Sequence, residues 1–181
     1  ISKSQMDIAN SIVALTKILE YSCKNTLDMV ALREEIQFIE DYIYIQNMRY
    51  GSSVVVKYQI EDDCRECLVL KMLLQPIVEN ALIHAFDNSG EGNVITVTCK
   101  KHKGHMKISV YDNGRGFQYE GFDKLTGIGL SNIKDRLELN FGTESEMQIY
   151  SVIGEGTRVT IVFPIVEGGK AAYESLTDRR R

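Results

Sequence analysis

The apolar residues of this chain change their period once, and the change falls at Gly51. Before it they recur every three or four positions. Ile8, Ile12, Leu15, Ile18 and Leu19 predict a helix over residues 4–22, and Leu32, Ile36, Ile39, Ile43 and Met48 predict a second over 28–49. Asp28 can cap the second helix, and Tyr50-Gly51 ends it, since glycine is the usual residue just past a helix. After Gly51 the period is two. Val54, Val56, Tyr58 and Ile60 alternate through SVVVKYQI, residues 53–60, as a half-buried strand does. Two adjacent amphipathic helices cannot bury their stripes alone, so they need each other, the next domain or a partner chain.

The remainder mixes the two periods. The acidic stretch EDDCREC reads as a loop, and residues 70–86 read as a helix in which Pro76 predicts a kink or a start near Gln75. Residues 94–101 and 106–112 form a hairpin around HKGH. A glycine-containing loop follows to about residue 126, then a helix over 127–141, then a hairpin of 147–153 and 157–164 through GEG. The two periods together predict an α+β chain in which two helices precede a region of mixed strands and helices. The expected division is a helical segment 1–50, an α/β domain 51–168 and a flexible tail 169–181.

Net charge is −4 over 181 residues, and no basic stripe is visible, which argues against a nucleic-acid groove. No apolar run reaches the roughly 18 residues that a spanning helix needs. The chain opens ISKSQMDIAN, without a Met or a signal peptide, and is expected to be a fragment of something longer. Cys64 and Cys67 form C-x-x-C, and His102 and His105 form H-x-x-H. The four side chains suit a tetrahedral zinc site by type; the alternative is reduced thiols beside a polar hairpin turn.

Three segments carry residues that ordinary structure does not require. In ENALIHA, residues 79–85, Asn80 is a poor helix former in mid-helix and can offer its amide oxygen to a hard cation such as Mg²⁺. Glu79 beside it can orient or deprotonate an attacking group, or the two can be a surface Glu and a hydrogen-bonded Asn. In DNGRGF, residues 112–117, Asp112 at a strand end can accept hydrogen bonds from an adenine amino group, while Gly114 and Gly116 leave room for a flat ring or a phosphate. A tight turn would use the same residues. In TGIGLSNIKDRL, residues 126–137, Gly127 and Gly129 lead into a helix whose N-terminus suits phosphates, or they form a glycine-rich linker. The spacing fits neither a Walker loop nor a dinucleotide fingerprint.

Their order is what discriminates: Asn in a helix, D-x-G-x-G after a strand, G-x-G-L opening a helix, then G-x-G-T (Gly154, Gly156, Thr157) in a hairpin. The set resembles the N box and Gly boxes of the GHKL superfamily of histidine kinases, gyrase B, the chaperone Hsp90 and MutL repair proteins. LREEIQFIEDYIYIQNMRYG (32–51), MLLQPIVENALIHA (72–85) and GIGLSNIKDRL (127–137) further resemble the LytS-like sensor histidine kinases, and the likeness covers residues 12–164.

That resemblance implies the Bergerat fold, a two-layer α/β sandwich with a mixed sheet and helices on one face, makes residues 51–168 its catalytic domain, and places ATP and Mg²⁺ between helices and a lid. Asn80 would ligate Mg²⁺, Asp112 would bind the adenine amino group, and Gly114 and Gly116 would flank the base. Gly127, Gly129 and Leu130 would hold the phosphate loop, with Thr157 near the adenine through water. His84 matches the family's His four residues after the Asn. Residues 118–126, with Lys124 and Thr126, would be the lid, and Glu79 the general base. The expected function is ATP-dependent phosphorylation of a His, then transfer to an Asp of a response-regulator receiver domain. The parent protein would be a membrane-anchored homodimer with this part in the cytoplasm. The alternatives are a catalytically weak or dead adaptor and an anti-sigma-type serine kinase. Two positions depart from the pattern. Ile83 replaces a basic residue common in relatives, and none of His84, His102 and His105 stands in the family's H-F-L-F/Y-N acceptor segment. The chain is therefore expected to bind ATP without phosphorylating itself.

Overall fold

The computed structural model describes residues 3–23, 29–50, 54–86, 92–118 and 128–166. Helix α1 (Lys3–Cys23) follows the predicted stripe closely. Only part of that stripe is covered. Of its members Ile18 packs partly buried against the core, whereas Ile8, Ile12, Leu15 and Leu19 are exposed; α1 packs on the next helix and buries Ala14 and Tyr21, which lie outside the stripe.

The second predicted helix begins later than expected. Residues Met29–Ala31 form a short strand, β1, antiparallel to β3 (Leu68–Leu70), and helix α2 spans Leu32–Tyr50. The start is fixed from outside the segment. The amides of Leu32 and Arg33, which have no partner within the helix, donate to the carbonyls of Cys67 and Arg65. Asp28, the predicted cap, lies outside the described residues. Strand β2 (Val55–Ile60) turns alternate residues inward as its period requires.

The third predicted helix is also shorter. Its first five residues instead fall in strand β3 and the turn that follows it, in which Met72 takes a left-handed φ of 57°. Helix α3 spans Gln75–Asn80, with Pro76 in the first turn, where a missing N–H costs nothing. It runs on into one wide π-helical turn, Ala81–Ala85.

Strands β4 (Val94–His102) and β5 (His105–Asp112) form the expected hairpin. Its two-residue loop places Lys103 and Gly104 at φ 50° and 79°, the sign pattern of the turn that matches strand twist. Helix α4 (Ile128–Phe141) precedes the last hairpin, β6 (Glu146–Val152) and β7 (Gly156–Pro164). The five-stranded sheet runs β2-β4-β5-β7-β6, with β2 parallel to β4 and every other pair antiparallel. Ile95, Val97, Ile108, Val110, Ile161 and Phe163 project from it into one core with Leu32, Ile36 and Ile39 of α2 and Ile133 and Leu137 of α4. The fold is thus a mixed sheet with helices against one face.

Cys64, Cys67 and Cys99 are buried and form no disulfide among the described residues. Among the described residues the cysteine and histidine pairs do not assemble into one ligand set; the acidic and thiol groups that do converge are Glu61, Asp63 and Cys64.

Candidate functional site

A cavity of about 320 Å³ opens between the end of α3, the C-terminal end of β5, the start of α4 and the β6–β7 hairpin. Its apolar walls are Ile77, Val110, Leu130, Ile149 and Val159, and its polar groups are Asn80, His84, Asp112, Arg115 and Thr157. A mostly apolar pocket with a few convergent polar groups is the usual form of a small-molecule site.

Asp112 is the last residue of β5 and pairs in register with Thr157 of β7. It is 6% exposed. Its Oδ1 accepts the Gly114 amide at 3.0 Å and the Thr157 amide at 3.2 Å. Burial pushes the carboxyl above the usual carboxylate range, and the amides oppose that shift. Asn113, the next residue, serves the fold. Its side chain accepts the Val94 amide and donates to the Gly92 carbonyl, which fixes the start of β4.

The glycine loop after Asp112 is held on both sides. The Arg115 amide donates to the Ala85 carbonyl at 2.9 Å, and the Arg115 carbonyl accepts the Gly154 amide at 2.7 Å. A Cβ at position 114 would lie 2.3 Å from the Ala85 oxygen, and one at Gly156, whose φ is 97°, would lie 2.0 Å from the Asp112 oxygen. The helix end, the loop and the hairpin meet backbone to backbone here, which is why glycines from segments far apart in sequence belong together. Gly114 serves this packing and does not line the cavity; Gly116 does. Ser151 completes the hairpin side. Its hydroxyl lies 2.9 Å from Thr157 Oγ1 and accepts the Phe117 amide.

Asn80 is half-buried, lines the cavity and makes no side-chain hydrogen bond among the described residues. His84, one turn on, is exposed at the rim. Glu79 is half-buried, accepts a bond from Gln75 Nε2 at 2.9 Å and does not line the cavity. Leu130 is buried in the wall. Gly129 is not in the wall but under Pro76, whose Cβ would be 3.2 Å from an added methyl. Gly127, Lys124 and Thr126 lie outside the described residues. Ile83 is 68% exposed and is not part of the cavity. Arg115 and Phe117 were not singled out from the sequence, yet both line the site. Among the described residues that line it, Arg115 is the one Lys or Arg. The signal was available: Arg115 is the only basic residue in DNGRGF.

An apolar cleft with a buried carboxylate, a helix-borne amide and backbone glycines is set here on a mixed sheet under a helical layer, an α/β sandwich. Residues 69–167 match the family described as histidine kinase-, DNA gyrase B- and HSP90-like ATPase, and residues 1–54 match the histidine kinase family. The chain belongs to this ATPase family, on its histidine kinase side. It is 32% identical over 165 residues to the sensor histidine kinase YesM of Bacillus subtilis, covering 90% of this chain and 29% of YesM. It is 36% identical over 145 residues to the sensor protein LytS of Staphylococcus saprophyticus, covering 75% of this chain and 24% of LytS. The chain therefore spans under a third of the length of these curated relatives. In fold it is similar to the histidine kinase domain of the Erythrobacter litoralis EL346 blue-light-activated histidine kinase, with a TM-score of 0.62, 21% identity, and coverage of 97% of this chain and 80% of that one. Among the described residues no helix is long and apolar enough to cross a membrane.

Proposed function

We propose that this chain binds ATP with Mg²⁺ and acts as the catalytic part of a two-component sensor kinase, supplying the phosphoryl group for a histidine and then for an aspartate of a response-regulator receiver domain. The observation that carries the reading is Asp112. Its Oδ1 is occupied by two backbone amides, which leaves Oδ2 to accept an adenine amino group at the base of an apolar slot.

The other roles follow from position. Asn80 offers an uncommitted amide oxygen to the cavity, which fits a hard cation that takes few protein ligands and several from phosphate and water. Mg²⁺ bound there would neutralise phosphate charge. Gly116 and Thr157 border the base; Leu130, with Gly127 and Gly129 before it, brings the start of α4 to the phosphates. Arg115 supplies the cation that Ile83 does not. Glu79 orients the acceptor imidazole as general base, and residues 118–126, including Lys124 and Thr126, close over the nucleotide as a lid. The acceptor imidazole comes from outside these 181 residues, since none of the chain's histidines stands in an acceptor segment. In the parent protein the exposed stripe of α1 pairs two copies, and a membrane anchor lies outside this segment.

Calorimetry with ATP, with and without Mg²⁺, tests the site. The wild-type chain should bind, Asp112→Ala should lose affinity in both conditions, and Asn80→Ala should lose mainly the Mg²⁺-dependent part. Unchanged affinity in both variants sinks the reading.

A further inference from the structure

Glu35 stands on the apolar face of α2 and is fully buried. A carboxylate there is costly unless its oxygens are hydrogen-bonded. They are, by one short stretch of chain. Oε1 accepts the Met72 amide at 2.6 Å, and Oε2 accepts the amides of Leu73 and Leu74 at 2.9 and 3.0 Å. These amides precede α3, which has no side-chain cap of its own. A fourth donor, the Tyr21 hydroxyl, reaches Oε1 from α1. The same turn is held from two further sides. Arg136 of α4 donates to the Lys71 carbonyl at 2.7 Å, and Lys71 Nζ reaches the Ser22 carbonyl of α1 at 3.4 Å and lies 5.1 Å from the centre of the Tyr21 ring. Residues 71–74 are thus the junction of α1, α2 and α4, and they lead directly into α3, which carries Asn80.

We propose that Glu35 is a positioning residue for the nucleotide site, and that the Tyr21 hydroxyl makes the set of α3 depend on how α1 lies against α2. The proposal rests on reading the cavity as an ATP site, and it names the contact through which a movement of the leading helix reaches that site. Burial pushes both the Glu35 carboxyl and the Tyr21 hydroxyl up, in keeping with a dry, tightly held pair. Withdrawing Tyr21 removes one of four donors from an acceptor that water does not reach. The turn must then shift to compensate, and Asn80 moves with it.

Tyr21→Phe deletes the hydroxyl and keeps the ring contacts with Phe38, 4.8 Å away, and with Lys71. In the 181-residue chain it should weaken Mg-ATP binding by about fivefold, part of the value of one bond to a charged acceptor. It should also speed amide hydrogen exchange over residues 72–80 and leave β5 and β7 at the wild-type rate. Glu35→Gln should act in the same direction more strongly, and Tyr21→Phe decides the matter whether or not Glu35→Gln folds. Tyr58→Phe, which removes a buried hydroxyl that has no hydrogen-bond partner among the described residues, should bind ATP as the wild type does. Wild-type affinity and wild-type exchange over 72–80 in Tyr21→Phe overturn the proposal, as does faster exchange spread evenly over the sheet. A wild-type chain that binds no Mg-ATP overturns the proposed function and this proposal with it. A wild type that binds, beside a Tyr21→Phe that behaves identically, overturns this proposal alone.

Discussion

A methyl group at position 114 would sit 2.3 Å from the Ala85 carbonyl oxygen, a distance backbone atoms cannot relieve by a rotamer change. Gly114→Ala should therefore cost about 1–3 kcal/mol, as overpacking does, visible as a lower urea midpoint with an unchanged slope. A midpoint equal to wild type would show that the loop does not press on the helix end. Arg115 next to it has the opposite character: its backbone is fixed at both ends, while its side chain borders the cavity. Arg115→Ala should leave the fold intact and weaken ATP binding about threefold to fivefold at low salt, with the difference shrinking as salt rises. Equal loss at all ionic strengths would mean that Arg115 acts by packing. At this scale Asn80 and Asp112, each open to an ordinary structural reading, were legible as candidates through the order of the motifs that carry them, and both line the cavity. Gly114 suits a ligand by its size alone, but its constraint is the neighbouring Ala85 carbonyl, which only the folded chain brings near.

Among the elements, the long periodic ones were legible and the short ones were not. Helices α1 and α4 and both hairpins follow from apolar spacing and turn residues. Strands β1 and β3 have three residues each and exist because they pair with each other across nearly forty positions, a contact with no local signature. The π turn after Asn80 is equally silent in sequence, since ALIHA has ordinary helical spacing. The β4–β5 loop shows where local chemistry remains imperfect. Lys103 takes a φ of 50°, which a residue with a long side chain adopts at a cost. Lys103→Asn should relieve part of that cost and stabilise the chain by about 0.5–1 kcal/mol, because asparagine before glycine is favoured in this turn. A thermal midpoint unchanged or lowered in Lys103→Asn would refute the assignment of strain to that residue.

For the molecule as a whole, the arrangement that makes a site also sets a pH dependence. Asp112 is a carboxyl whose folded-state pKa is raised, chiefly by burial. Between the ordinary carboxylate value of about 4 and the raised value, the folded chain holds a proton that the unfolded chain has released. Folding stability from this residue is therefore complete below about pH 4 and is lost as pH rises through the folded pKa. Nucleotide binding runs the other way, because the ionised carboxylate is the better acceptor for an adenine amino group, so affinity should rise through the same window. Asp112→Asn removes the titrating group while keeping its shape. Relative to that variant, the wild type should lose urea-unfolding free energy as pH rises from about 4, while its ATP affinity improves over the same range. Parallel stability curves for the two proteins would show that burial does not tune this carboxyl. A stability difference without a matching affinity change would mean that Asp112 titrates but does not face the base.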